Sequence, residues 1–187
     1  NMRLICIGDS LTFGYGVHLS QRWTQLCAQE TGWELVNEGI NGDTTGGMLA
    51  RMQGGVLAEL REGGLGADRP YVLLMGGSND VFYSRSDAAA RGNMGAMIHQ
   101  LFSVGVLPMV GIPLPADAPH VPRAWAAAVD FEAAERTMKE YCAWLKRYCT
   151  AFGVPYIDFC ADFLSPTDRP ARSCCLTVCT RRRRDTA

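Results

Sequence analysis

The stretch "RLICIGDSLTFGYG", residues 3–16, begins as an unbroken apolar run and stops abruptly at Gly8-Asp9-Ser10. A short apolar run closed by a small-residue turn reads as a strand buried on both faces, the kind that parallel sheets contain. Four more runs share the pattern: "WELVNEG" (33–39), "YVLLMGG" (71–77), "VLPMVGIP" (106–113) and "PYIDF" (155–159). Longer segments near 20–31, 44–61, 86–103 and 130–152 separate them; in the last, Phe131, Ala134, Met138, Tyr141, Cys142, Leu145 and Tyr148 recur at helical spacing. Strands alternating with helices mean parallel strands joined by right-handed crossovers. The expected fold is therefore α/β: a three-layer α/β/α sandwich around a five-stranded parallel sheet.

The chain has 187 residues, enough for one domain that buries roughly 70% of its unfolded surface. With 48% hydrophobic residues, 20% charged and a net charge of −1, nothing global points to nucleic acid or to a membrane surface, and no run reaches the length of a membrane span. The N-terminus lacks a basic-then-apolar leader, which predicts a cytoplasmic protein; a periplasmic or secreted one requires a leader already removed. Five of the eight cysteines (Cys6, Cys27, Cys142, Cys149, Cys160) lie in strand-like or helix-like stretches as small hydrophobes, as expected in a reducing compartment. The other three, Cys174, Cys175 and Cys179, crowd beside Arg181-Arg182-Arg183-Arg184. That shift in composition divides the chain into a domain at 1–172 and an aberrant tail at 173–187.

In open parallel sheets the ligand site lies beyond the carboxyl ends of the strands. The first strand delivers Gly8-Asp9-Ser10 there, the second leads to Asn41-Gly42-Asp43, and the third delivers Gly77-Ser78-Asn79-Asp80. A serine hydroxyl, a glycine N–H with no side chain in its way and an asparagine amide are the parts of an acyl-transfer site, a nucleophile with an oxyanion hole. Taken singly, Ser10 reads as a helix cap, and Gly42 and Asn79 as turn formers. Only their arrival at one sheet edge changes the reading. Asp9 and Asp80 are not near a histidine in sequence, so paired-carboxylate or metal chemistry is not expected; Asp9 reads as a brace for the turn.

The blocks "GDSLTFGYG", "NGDTTGG" and "GGSND" resemble, in order and spacing, the first three blocks of the SGNH (GDSL) hydrolase family, over about residues 3–160. Within it, "GDSLTFGYGV" and "NGDTTGGMLARM" look most like the small bacterial thioesterase, lysophospholipase and arylesterase group. The resemblance implies a flavodoxin-like sheet, Ser10 as nucleophile, and an oxyanion hole made of the Ser10 N–H, the Gly42 N–H and the Asn79 amide. It implies no metal or cofactor, and a small acyl ester or thioester as substrate. The pocket walls are expected from loops 82–93 and 113–129.

The family also supplies a base, from an Asp-x-x-His motif after the fifth strand. Here that region reads "SPTDRPARSCCLTVCTRRRRDTA" and holds no histidine. His18, His99 and His120 are poor substitutes, although His120 sits in a loop after the fourth strand from which it could reach the pocket rim, and Asp168 has no histidine at the required spacing. Ordinary GC-rich codons from Arg172 onward offer an explanation. Read in the neighbouring frame, from the last base of the Arg172 codon, they spell Glu-Leu-Leu-Pro-Asp-Gly-Val-His-Pro-Thr-Ala-Ala-Gly-His-Arg, which contains the missing motif. A one-base deletion would account for the clustered cysteines, the arginine run and the absent histidine together. The alternatives are a divergent or basic surface tail, with the protein a catalytically impaired or non-catalytic binding version of the same fold. Nucleic-acid or membrane binding through Arg181–Arg184 is a remoter one. A flavodoxin-like nucleotide site is disfavoured, because no phosphate-binding glycine fingerprint follows the first strand.

Overall fold

β1 (Arg3–Gly8) lies between β2 (Glu34–Gly39) and β3 (Tyr71–Met75), parallel to both, with Gly8 in register with Gly39 on one side and Met75 on the other. β4 (Leu107–Ile112) and β5 (Tyr156–Asp158) extend the sheet, giving the order β2-β1-β3-β4-β5. The computed structural model describes residues 2–62, 70–114 and 127–159. The chain turns back across β1 between β2 and β3, so the ends of these neighbours form the switch point where open α/β sheets bind ligands.

The alternation of side chains along β1 sends residues to both sheet faces. Ile5 and Ile7 join a cluster with Val72, Leu74 and Val110, covered by α3 (Thr45–Arg51), α6 (Ala88–Ser103) and α7 (Phe131–Phe152). Leu4 and Cys6 face the other way, against Trp23 and Cys27 of α2 (Trp23–Thr31) and Phe159. All four β1 side chains are at most 3% exposed, and burial of each large aliphatic one contributes about 1.5–3 kcal/mol. Two buried faces explain why the strand reads as continuously apolar. The two edge strands depart from the buried-strand expectation: β2 and β5 are each buried only in part.

α7 matches its expected span closely. The Asp130 side chain caps it by accepting from the Ala133 N–H (3.0 Å), Gly153 ends it with φ 67°, and Ala134, Met138, Tyr141, Leu145 and Cys149 form its buried stripe. The helix expected at 44–61 is more complicated. α3 passes into one π-type turn, Met52–Val56, and then into α4 (Leu57–Glu62). The wider turn runs through Gly54 and Gly55 and brings Met52 and Leu57, five residues apart and both nearly fully buried, onto the core side of one helical run. The helix start that Ser10 suggests is α1 (Ser10–Phe13), capped by Asp9 rather than by the serine, and a second short helix, α5 (Ser78–Ser84), lies outside the expected elements.

Cys6, Cys27 and Cys149 are buried, and Cys142 is half-buried. Burial pushes the Cys149 thiol up to about 12 and that of Cys6 well above its usual range, which leaves both unreactive. No described helix is long and apolar enough to cross a membrane. The tail at 173–187, Cys160, Asp168 and His120 lie outside the described residues.

Candidate active site

At the end of β1 the chain reverses into α1 within two residues. Asp9 caps the helix, its carboxylate accepting from the Leu11 N–H (2.9 Å), while its backbone oxygen accepts from Phe13 (2.9 Å). The aspartate is the brace expected of it, and Ser10 becomes the first helical residue. Its N–H therefore has no acceptor within the helix and is free for a ligand. α1 lies so close on the end of β2 that a Cβ on Gly39 would come within 2.3 Å of the Phe13 nitrogen.

After β2 the segment Ile40–Asp43 closes a four-residue turn through Asp43 N–H to Ile40 O (3.2 Å). Gly42 occupies its third position with φ 78°, the sign a type II turn demands there. Space around a Cβ is ample, with only the Tyr83 hydroxyl at 3.5 Å, so the backbone conformation is what calls for glycine. Thr44 then caps α3, its hydroxyl accepting from Gly47 N–H (3.3 Å).

β3 ends in Gly76-Gly77 and enters α5. Gly77 has φ 123°, and a Cβ there would lie 2.5 Å from the Tyr141 ring. Tyr141 is fully buried in α7 and donates its hydroxyl to the Gly76 oxygen (2.6 Å). The strand end is thereby clamped to the helix layer, and burial drives the Tyr141 phenol well above its usual pKa, so it stays a donor.

Ser10, Asn41, Gly42 and Asn79 line one cleft of about 440 Å³, together with Tyr15, Phe82, Tyr83, Ala128, Val129 and Phe131. All three residues expected at the site thus reach the same opening, Ser10 and Asn79 half-buried and Gly42 exposed. Polar groups gather at the strand ends, and the aromatic side chains form the apolar walls, with Phe82 and Phe131 packed 5.6 Å apart. Ala128 and Val129 come from the loop expected at 113–129, whereas Phe82 and Tyr83 fall within the expected 82–93 but are helical, since that span is mostly the end of α5 and the start of α6. Tyr15 and Phe131 come from neither span.

Three carboxylates stand behind the polar end. The Asp80 carboxylate is buried and accepts from both the N–H (2.9 Å) and the hydroxyl (2.6 Å) of Thr45, which in turn accepts from the Asn93 amide (3.1 Å). Asp43 pairs with Arg51 (2.8 Å). Burial, with the charges of Asp43 and Asp80 adding to it, pushes the Asp9 carboxyl up to about 6.

The model of the GDSL-like lipase/acylhydrolase family matches residues 6–175. The chain belongs to this family. Among known proteins it is 29% identical over 119 residues to Esterase TesA of Pseudomonas aeruginosa, a match that covers 60% of this chain and 55% of that protein. The chain thus matches little more than half the length of that relative. Solved structures share the fold: the aryl esterase of M. smegmatis (TM-score 0.76, 19% identity, 100% of this chain and 99% of that one) and a lipolytic protein of the G-D-S-L family from Veillonella parvula (0.73, 20%, 96% and 97%). Est24, a carbohydrate acetylesterase from Sinorhizobium meliloti, aligns at 0.72 and 18% identity over 95% and 94%.

The GDSL family's histidine finds no counterpart among the described residues of the cleft. His99 sits between α6 and α7, its Nε2 2.6 Å from the Tyr148 hydroxyl and its ring edge-on to Phe152. His18 is exposed at the start of a short 3₁₀ turn, Leu19–Gln21.

Proposed function

We propose that this GDSL-family chain is a serine ester hydrolase in design. Ser10 Oγ adds to an acyl carbonyl carbon and gives its proton to a base. The carbonyl oxygen, now negative, accepts hydrogen bonds from the Ser10 N–H, the Gly42 N–H and the Asn79 amide. Collapse breaks the bond to the alcohol or thiol, which leaves with the proton from the base, and gives an acyl-serine; water then adds to the acyl carbon, a proton passes through the base back to Ser10, and the acid is released. The observation that supports this reading is the common cleft: one nucleophile and two donors, supplied by three adjacent strand ends, beside an apolar wall.

The aromatic walls favour alkyl and aryl esters or thioesters over sugar acetates, because a carbohydrate's hydroxyls would be stripped of water against Phe82 and Phe131 without partners. No cofactor enters the scheme. The base is the histidine of the neighbouring reading frame, so the chain as written carries the fold and the oxyanion donors without the group that activates Ser10. Loss of that group leaves a residual catalysis of about 10³–10⁴ over water.

Hydrolysis of p-nitrophenyl acetate and butyrate tests the reading, measured on the chain as written and on a version with the neighbouring frame restored after Arg172, each with Ser10→Ala. The restored chain is expected to be faster by several orders of magnitude, and Ser10→Ala to bring it down to the residual rate of the chain as written, whose catalysis does not pass through the serine. In the restored chain, equal rates with and without the serine hydroxyl would refute the assignment. Sequencing the natural gene tests the frame separately: an unbroken frame ending in Arg-Arg-Arg-Arg-Asp-Thr-Ala disposes of the deletion.

A further inference from the structure

We infer that Arg51 is a positioning residue for the oxyanion hole, holding the Ser10 turn and the Gly42 turn in one geometry; the inference rests on the hydrolase reading above. Arg51 ends α3, and its guanidinium makes four hydrogen bonds to three separate pieces of the site's scaffold. Nη2 donates to the Gly8 oxygen (3.2 Å), the last carbonyl of β1 and two residues before Ser10. Nη1 donates to the Glu38 oxygen near the end of β2 (2.9 Å). Nε and Nη2 both donate to Asp43 Oδ2 (3.0 and 2.8 Å), next to Gly42.

A planar fork with fixed donor directions can satisfy three acceptors only if they hold a fixed mutual arrangement. The acceptors here are the ends of the two strands that deliver Ser10 and Gly42 and the carboxylate that follows Gly42. Neither turn can shift relative to the other without breaking a charge-assisted bond. Arg51 does this from outside the cleft: it faces a separate hollow of about 350 Å³ with Ile5, Ile7 and Met52, and is not among the residues lining the site. It touches no substrate.

Charge gives the same residue a second effect. An oxyanion that forms in front of Asp9, Asp43 and Asp80 is opposed by their fields, and Arg51 offsets Asp43 directly at 2.8 Å. Both effects act on the transition state and hardly at all on an uncharged bound ester. The signature is therefore a loss in kcat with little change in KM.

The test compares Arg51→Ala and Arg51→Lys with the frame-restored chain as parent, using p-nitrophenyl butyrate and Ser10→Ala as control, with thermal melting of every variant. Arg51→Ala is expected to lose 10- to 100-fold in kcat, with KM within threefold. Arg51→Lys, which keeps the charge but has no fork to span three acceptors, should recover less than half of that loss on a logarithmic scale. Should the alanine variant fail to fold, the lysine variant decides alone, by a kcat at least threefold below the parent in a folded protein. A kcat within twofold of the parent in the folded variants, or a loss carried wholly by KM, overturns the inference. Indifference of the parent rate to Ser10→Ala would instead overturn the hydrolase reading on which it stands.

Discussion

The Asn79 side-chain amide donates to the backbone oxygen of Asp43 at 2.8 Å, joining the end of β3 to the loop that carries Gly42. A primary amide has two hydrogens, so one fixes the side chain and the second is left over, available to the oxyanion of the proposed reaction. In that proposal the two donors brought by β2 and β3 are held to each other before any substrate arrives, the preorganisation that makes such donors effective.

Asn79→Ala is expected to lower kcat on ester substrates by a factor of about 10²–10³ while costing only about 1 kcal/mol of stability through the lost bond to Asp43. Asn79→Asp keeps the size but turns a donor into an anion beside the developing charge, and should be slower still. Steady-state kinetics alongside urea denaturation separates the two effects; a large fall in stability with unchanged kcat per folded molecule would contradict the donor role.

Thr45 and Asp80 tie α3 to α5 directly below this pair. Thr45→Val removes the hydroxyl that meets Asp80 Oδ1 at 2.6 Å and also strands the Asn93 amide, leaving a buried carboxylate short of a donor. The expected cost is about 1–3 kcal/mol in denaturant unfolding. Asp80→Asn in the same background should restore part of it, since a neutral amide is cheaper to bury than an ion.

Tyr141 offers a sharper test of the strand end. Tyr141→Phe keeps the ring against Gly77 but leaves the buried Gly76 oxygen without the hydroxyl it accepts from, for a loss of about 1–3 kcal/mol. Gly77→Ala should be worse than Tyr141→Phe, because it adds both a strained positive φ and a collision with that ring. Thermal melting ranks them, and an alanine variant as stable as the parent would mean that the turn can relax in a way the close packing does not suggest.

Much of this architecture is legible in the chain because parallel strands buried on both faces leave continuous apolar runs, and because Gly8, Gly42 and Gly77 mark where those runs turn. The family match over residues 6–175 agrees with what the three blocks around Ser10, Gly42 and Asn79 suggest. α5 escapes such a reading: its seven residues are too short for a helical period to show. The π-type turn is invisible for a different reason, since a single widened turn within a glycine-containing helical segment changes spacing by only one residue. Arg51 carries no local signal at all. Its partners lie 8, 13 and 43 residues away in sequence, and only the stacking of β1 against β2 brings them to one guanidinium. Nor do Tyr15 and Phe131 advertise themselves as cleft walls, because an aromatic at a loop or helix start reads equally well as core.

Asp9 links the site to pH. Its carboxyl rises from an ordinary 3.8 to about 6 mainly because folding buries it, so between these values the folded chain holds a proton that the unfolded chain has released. Stability contributed by the protonated form is present in full below 3.8 and is lost as pH climbs through about 6. Asp9→Asn removes the titration while keeping an oxygen that can accept from the Leu11 N–H. The stability difference between parent and Asp9→Asn, from urea unfolding at pH 4 and pH 7, should therefore shift against the parent by on the order of 2–3 kcal/mol. A difference that does not change with pH would mean that Asp9 keeps its ordinary pKa in the fold, and that the cap bond to Leu11 offsets the cost of burying its charge.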